Sequence, residues 1–368
     1  DIDPQGSLSD WWNEREDEYP AFAQTTVARL ANDLAILRQQ GFKLAVIDLL
    51  DSIGLDYIEG GYPGANPTDT ALFGEPRKTK AKFTAFGMVK RAGRSVSNDA
   101  GLQDLLNAKS AAICFVAKAW DYHVRVALGC TNEENLESIR QSVEAAKFAG
   151  KAVLVDCEHF FDGYTANPDY ALACAKAAYE SGARWVVLCD TNGGTMPAEV
   201  SAIVRAVAKT VPGSHLGIHA HNDTDQAVAN SLAAIDAGCR HVQGTLNGIG
   251  ERCGNANLVS VIATLGLKKS YTDRFSISVD ETRLQNLTHV ARAFDELLNR
   301  APNAQAPYVG KSAFATKAGI HASAIVKEPE TYEHVPPETV GNRRRMLVSD
   351  PSLKSNLESE LQRVGMDV

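Results

Sequence analysis

Seven short apolar runs, many rich in β-branched residues, recur along this chain, and that beat restricts the fold more than any other feature. They are Leu55–Gly61, Lys82–Met88, Ala111–Lys118, Ala152–Glu158, Trp185–Thr191, His215–Asn222 and His241–Asn247. Nearly every gap holds an amphipathic, Ala-rich stretch such as Thr131–Gly150, which opens on Asn132-Glu133-Glu134 and closes on a glycine, or Asp169–Gly182. Strands that alternate with helices imply a parallel sheet, and this many units favour closure into a barrel over an open doubly wound sheet. No Gly-x-Gly-x-x-Gly follows the first run, which counts against a dinucleotide-binding domain. The expected fold is α/β, a TIM (β/α)8-type barrel.

Such a barrel gathers its chemistry at the C-terminal ends of its strands. Those ends read Glu59-Gly60-Gly61, Lys118, Asp156-Cys157-Glu158-His159, Asp190-Thr191-Asn192, His219-Ala220-His221 and Asn247-Gly248. The His-x-His pair is the sharpest. Residues i and i+2 of a strand share a face, so His219 and His221 aim into one space. Two imidazoles so placed can hold a divalent metal, with carboxylate, amide, water and substrate filling the other positions. The bare motif is also that of two hydrogen-bonded histidines at a strand end.

From Ser278 onward the beat changes. Residues 279–300 read as one long helix, followed by the Pro/Ala-rich 301–307, the run Lys311–His321 and a polar tail with a helical stretch at 353–364. Three parts are expected: an atypical, partly helical N-terminal segment (1–41), a catalytic barrel (42–277), and a helical linker with a small subdomain that completes the site (278–368). The formal charge of −8 among 368 residues argues against a nucleic-acid or acidic-membrane surface; the run Arg343-Arg344-Arg345 is the one basic cluster. Seven scattered cysteines without Cys-x-x-Cys pairs suggest reduced core thiols in a cytoplasmic protein. No run is long enough to span a membrane, and no signal peptide is visible.

Several runs together resemble the metal-dependent Claisen-condensing acyltransferases, the isopropylmalate, homocitrate and citramalate synthases. They are Tyr57-Ile-Glu-Gly-Gly-Tyr-Pro-Gly64, Asp190-Thr-Asn-Gly-Gly-Thr195, His219-Ala-His-Asn-Asp223 and Gly248-Ile-Gly-Glu-Arg-Cys-Gly-Asn255. Glu158–Tyr164, Gly250–Leu258 and Val340–Asp350 are most similar to the citramalate branch. The resemblance implies condensation of acetyl-CoA with a 2-oxo acid, pyruvate in that branch, as a step of branched-chain amino-acid biosynthesis. It implies a divalent metal ion (Mg, Mn or Zn) on His219, His221 and Asn255, and Thr191 on the carboxylate of the 2-oxo acid. Glu158 becomes the catalytic carboxylate beside the acyl donor. His321 and Tyr332 serve proton transfer and hydrolysis from the small domain, and the chain is expected to be a homodimer.

Other readings exist for each residue. Glu158 could be a strand-end carboxylate paired with a barrel lysine, Asn255 a turn residue, Thr191 a helix cap, His321 a satisfied core histidine and Tyr332 part of a packed strand edge. The family's first strand ends in a pattern like Asp-Thr-Thr-Leu-Arg-Asp-Gly. Here the nearest fragment is Leu37-Arg38-Gln39-Gln40-Gly41, in surroundings of helical periodicity, so a charged metal ligand is expected to be missing and activity to suffer. The family's C-terminal regulatory domain is likewise expected to be absent. Alternative activities are an isopropylmalate- or homocitrate-type synthase, a lyase or aldolase on the same scaffold, or an impaired, non-catalytic barrel.

Overall fold

The computed structural model describes residue 43 and residues 45–317 and 319–347. The atypical N-terminal segment, its Leu37–Gly41 fragment and the helical reading of the tail lie outside these residues. Seven parallel strands form one curled sheet in sequential order: β1 Tyr57–Gly61, β2 Lys82–Met88, β3 Ala112–Lys118, β4 Ala152–Glu158, β5 Trp185–Asp190, β6 Leu216–Ala220 and β7 His241–Gln243. Register is fixed along the longest pairing, from Ala112 opposite Ala152 to Lys118 opposite Glu158. Among the described residues β7 and β1 do not pair, so the wall of the barrel stays open between them. The seventh strand is shorter than its sequence run: Gly244 follows Gln243, and Thr245 makes only an isolated bridge to Asn257.

The strands are buried on both faces, which is why they read as near-continuous apolar runs. One set of alternate residues, Ala112, Cys114, Leu154, Trp185, Val187 and Cys189, packs inside the barrel. The other, including Ile113, Phe115, Val153, Val155, Val186 and Leu188, packs beneath the helices. Each Val, Leu, Ile or Phe among them contributes about 1.5–3 kcal/mol when fully buried, so the sheet and its helical jacket dominate the folding energy.

The jacket comprises α1 Pro67–Leu72, α2 Ala100–Asn107, α3 Asn132–Phe148, α4 Phe160–Ala166, α5 Pro168–Glu180, α6 Pro197–Val207, α7 Ala227–Ala237 and α8 Leu258–Leu267. The sequence signals for α3 and α5 are realised. Thr131 and Glu134 form a reciprocal capping box at the start of α3, and Asn167 caps α5 just ahead of Pro168.

The expected single helix over 279–300 is two. Asp280 caps a short helix, Glu281–Gln285, and a separate α9, Leu287–Leu297, begins after Asn286. Both halves bury apolar residues in a second core, where Leu284, Leu287, Val290 and Phe294 meet Ile53, Leu246 and Val259. Splitting the run lets each half present its apolar face to that core. Beyond it, β8 Ala315–Thr316 pairs in parallel with β9 Arg345–Met346, and α10 Gly319–Lys327 packs Ala322 and Ile325 on Met346.

Candidate active site

The inward-facing residues near the strand ends form one connected polar chain. Asp156 on β4 accepts a hydrogen bond from the Gln243 amide on β7 at 2.9 Å. The Gln243 carbonyl oxygen lies 2.7 Å from His219 Nδ1 on β6, so that nitrogen carries the proton and donates. His219 Nε2 then faces Asn255 Oδ1 at 2.8 Å. Asn255 cannot turn its amide nitrogen there without losing its own bond to the Ile249 carbonyl, 3.0 Å away. Two lone-pair-bearing atoms, an imidazole nitrogen and an amide oxygen, are therefore held facing each other. Such a pair shares an added proton or a cation, and Gln243 is the outer partner that fixes the tautomer of a ligating histidine. The donor set at His219 and Asn255 fits a divalent ion.

Glycines make the Asn255 loop possible. Gly250 and Gly254 both adopt positive φ, and a Cβ at Gly254 would meet the Gly248 carbonyl oxygen, while one at Gly250 would meet the Asn255 amide. The loop folds back on itself only with hydrogens at these positions.

His221 stands beside His219, ring centroids 5.2 Å apart, but has a different partner. Arg252 donates to His221 Nδ1 at 2.6 Å, binds both oxygens of Asp223 at 2.7 and 2.9 Å, and reaches the Thr191 carbonyl at 2.7 Å. Burial, then the neighbouring His219 and Arg252, push the His221 imidazole down to about 4. With Nδ1 accepting, its proton sits on Nε2. Ligation by His221 through either nitrogen requires that Arg252 release Nδ1, to the metal itself or to the proton displaced from Nε2.

Thr191, just past β5, does not cap the helix that follows, because α6 starts after Met196. Its hydroxyl oxygen instead accepts from the His159 backbone N–H at 2.8 Å, leaving the O–H free to donate into the mouth. Glu158 is ion-paired with Lys118 across the β3–β4 register, with its side chain still 26% exposed. It is thus both a mouth carboxylate and the lysine-paired group that its strand-end position allowed. His159 takes a left-handed conformation and is fixed by Asp162 at 3.1 Å, which also accepts from Asn192 at 3.0 Å.

Below His219 lies a second cluster. Ligand atoms of Glu59, Cys114 and Asp156 all lie within 4.8 Å of one another. Desolvation, with the Asp156 charge adding to it, pushes the Glu59 carboxyl up to about 7. Glu59 lines a cavity of about 420 Å³ together with His219, Gln243 and Asn255. Burial also raises Asp156 and, together with the two carboxyls, drives the Cys114 thiol well above its ordinary range, which keeps the thiol protonated. Glu59, Cys114 and Asp156 are close enough together that they could hold a metal ion.

The rings of His321 and Tyr332 lie against each other, centroids 4.3 Å apart and tilted by 30°. Both are exposed, so neither is a core residue or part of a packed strand edge. Among the described residues, no hydrogen bond or ion pair joins either to His219, Asn255, Thr191 or Glu158. The structure therefore brings together His219, His221, Asn255, Thr191 and Glu158, and places His321 against Tyr332.

Sequence reasoning gave no role to Gln243, Glu59, Cys114 or Arg252. The missed signal is the period of two: Gln243, His219, Asp156 and Cys114 occupy inward positions, legible once the strands are aligned.

Two family models cover most of the chain. One described as HMGL-like matches residues 38–293, and one described as homocitrate synthase post-HMGL domain-like matches 308–368. The chain is 46% identical over 329 residues to an (R)-citramalate synthase of Aquifex aeolicus, covering 89% of this chain and 61% of that protein. It is 46% identical over 360 residues to one of Streptomyces coelicolor, covering 97% and 66%. The chain thus spans less than two thirds of these relatives' length. In fold it is similar to the crystal structure of hydroxymethylglutaryl-CoA lyase from Pseudomonas aeruginosa, with a TM-score of 0.59 and 21% identity over 73% of this chain and 89% of that one.

Proposed function

The chain belongs to the HMGL-like family, and from that premise we propose that it condenses acetyl-CoA with pyruvate to give citramalate and CoA. The observation that carries the proposal is the facing of His219 Nε2 and Asn255 Oδ1, with Thr191 and Glu158 on the neighbouring strand ends. The similarity to proteins named (R)-citramalate synthase supports pyruvate as the acceptor.

In this reading residues 42–277 are the catalytic barrel and 278–368 the part that completes the site. His219, Asn255 and His221 hold a divalent ion, which supplies Lewis acidity at the ketone of the bound 2-oxo acid. Glu59, in the same cavity, is the carboxylate that brings negative charge to that side. The Thr191 hydroxyl donates to the pyruvate carboxylate and sets its orientation. Glu158, held in place by Lys118, takes a proton from the thioester methyl. The resulting carbanion attacks the ketone carbon, one C–C bond forms, and the ketone oxygen is protonated to the tertiary alcohol. Water then cleaves the thioester, releasing CoA; His321 and Tyr332 move the water's proton. Keeping both substrates in one mouth supplies the proximity the condensation needs.

The test is thiol release from acetyl-CoA with a divalent cation, with pyruvate and 2-oxoisovalerate as rival acceptors. Release that requires pyruvate and is far slower with 2-oxoisovalerate is expected. Preference for the bulkier acid would move the chain to the isopropylmalate-type reaction, and no release from a folded protein would defeat the proposal.

A further inference from the structure

A second cavity, about 480 Å³, lies between α9, the 300–311 segment and β9. Among the described residues Arg292, Arg300, Lys311 and Arg345 line it, against a single carboxylate, Asp295. Among the described residues none of these four cations is ion-paired. That is unexpected in a chain of formal charge −8, where carboxylates outnumber cations. The neighbouring Arg344 shows the ordinary arrangement, its guanidinium bound to both oxygens of Glu333 at 2.6 Å. Arg345 differs: its Nε is buried without a hydrogen-bond partner. Burial, with Arg343 and Arg292 close by, also holds its guanidinium below the usual range.

Four like charges in one concavity repel, and a buried guanidinium N–H without an acceptor is costly. Both are relieved by a ligand with several negative oxygens, and guanidinium forks match phosphate geometry. The position of the cavity adds a direction. Asn247, Ile249 and Asn257 form one side of it, and Ile249 also lines the cavity that holds His219. The Ile249 carbonyl is the group that orients Asn255.

We propose that this cavity binds phosphoryl groups, supplied either by the nucleotide end of the acyl-CoA donor or by a free phosphate compound. The first source rests on the function proposed above; the second does not. Pairing of Ala315 with Arg345 in the β8–β9 ladder fixes one wall, and Asn342, which donates to the Tyr308 and Gly310 carbonyls at 2.9 and 3.0 Å, ties the 300–311 segment to the same strand. The cations are thus presented by a braced frame.

The experiment is calorimetric titration of the full chain, wild type and Arg300→Gln/Lys311→Gln, with CoA, acetyl-pantetheine and inorganic pyrophosphate. Both replaced side chains are exposed, and circular dichroism serves as the check that the variant folds. At low salt, CoA binding is expected to weaken at least tenfold in the variant while acetyl-pantetheine, which lacks the nucleotide, binds both proteins alike. Pyrophosphate competing with CoA assigns the cavity to the donor. Pyrophosphate binding that depends on these cations, with CoA indifferent to them, assigns it to a free phosphate compound. If neither ligand responds to the substitutions, the proposal is wrong. The readout needs no turnover, so phosphate binding by a chain inert toward pyruvate would refute the reaction and leave the cavity standing.

Discussion

Gln243 shows how much of the site depends on a residue that touches no reactant. It accepts from His219 Nδ1 and donates to Asp156, so it sets which imidazole nitrogen is free to bind. Gln243→Leu should keep the fold and weaken divalent-metal binding about 10–100-fold, the usual cost of losing such an outer partner; a competition titration with a metal-sensitive dye reads it directly. His241, two residues earlier, faces the barrel floor and stacks on Trp185 at 4.9 Å. Its Nε2 is buried and unpartnered; desolvation first, then the charges of Arg184 and His219, push the imidazole from 6.5 down to about 4. Between those values the unfolded chain takes up a proton that the folded chain refuses. Stability is therefore whole above about pH 6.5 and falls as pH drops toward 4, by about 2–3 kcal/mol from this one group. His241→Phe keeps the stack and should flatten that part of a pH–denaturation curve; an unchanged acid slope would contradict the assignment. The two site histidines stand out in the sequence as His-x-His. Their supports do not, because an amide on a three-residue strand carries no motif.

At the scale of elements, the strand–helix beat was legible, since strands buried on both faces must be apolar throughout and caps such as Thr131–Glu134 are local chemistry. Three features were not. The end of β7 is set by the Thr245–Asn257 bridge, a contact between segments that sequence periodicity cannot show. The break at Asn286 follows from which faces the second core accepts. The choice of Arg252 as partner for His221 arises from a loop folded back over the mouth. That loop gives its own prediction. Gly254→Ala places a Cβ against the Gly248 carbonyl in a left-handed conformation. It should destabilise the chain by about 1–3 kcal/mol and lower kcat/KM more than Ala substitution at the exposed Glu251, because it displaces Asn255 from His219. Equal effects of the two on activity would separate the loop from the site.

The two largest cores of the molecule meet at Leu50, which packs against both. The larger lies between sheet and helices; the smaller joins helical residues 45–53 to α8 and α9 through Ile53, Leu246 and Phe294. Phe294 is 5% exposed and also lines the cavity that contains His219. Phe294→Ala should cost about 3–5 kcal/mol in denaturant unfolding, and a loss under 1 kcal/mol would mean that the second core contributes little. The barrel class was readable because a repeated unit fixes topology. The absent first-strand pattern falls on residues outside those described. That the His321 and Tyr332 rings meet, 4.3 Å apart, was not legible, since it depends on how α10 folds against the residues that follow it. The account is tested most directly by following carbon. With uniformly ¹³C-labelled pyruvate, unlabelled acetyl-CoA and a divalent cation, mass spectrometry should find a five-carbon dicarboxylic acid that retains all three pyruvate carbons, formed in step with free CoA and lost in His219→Ala. Release of acetate with the labelled pyruvate untouched would contradict it.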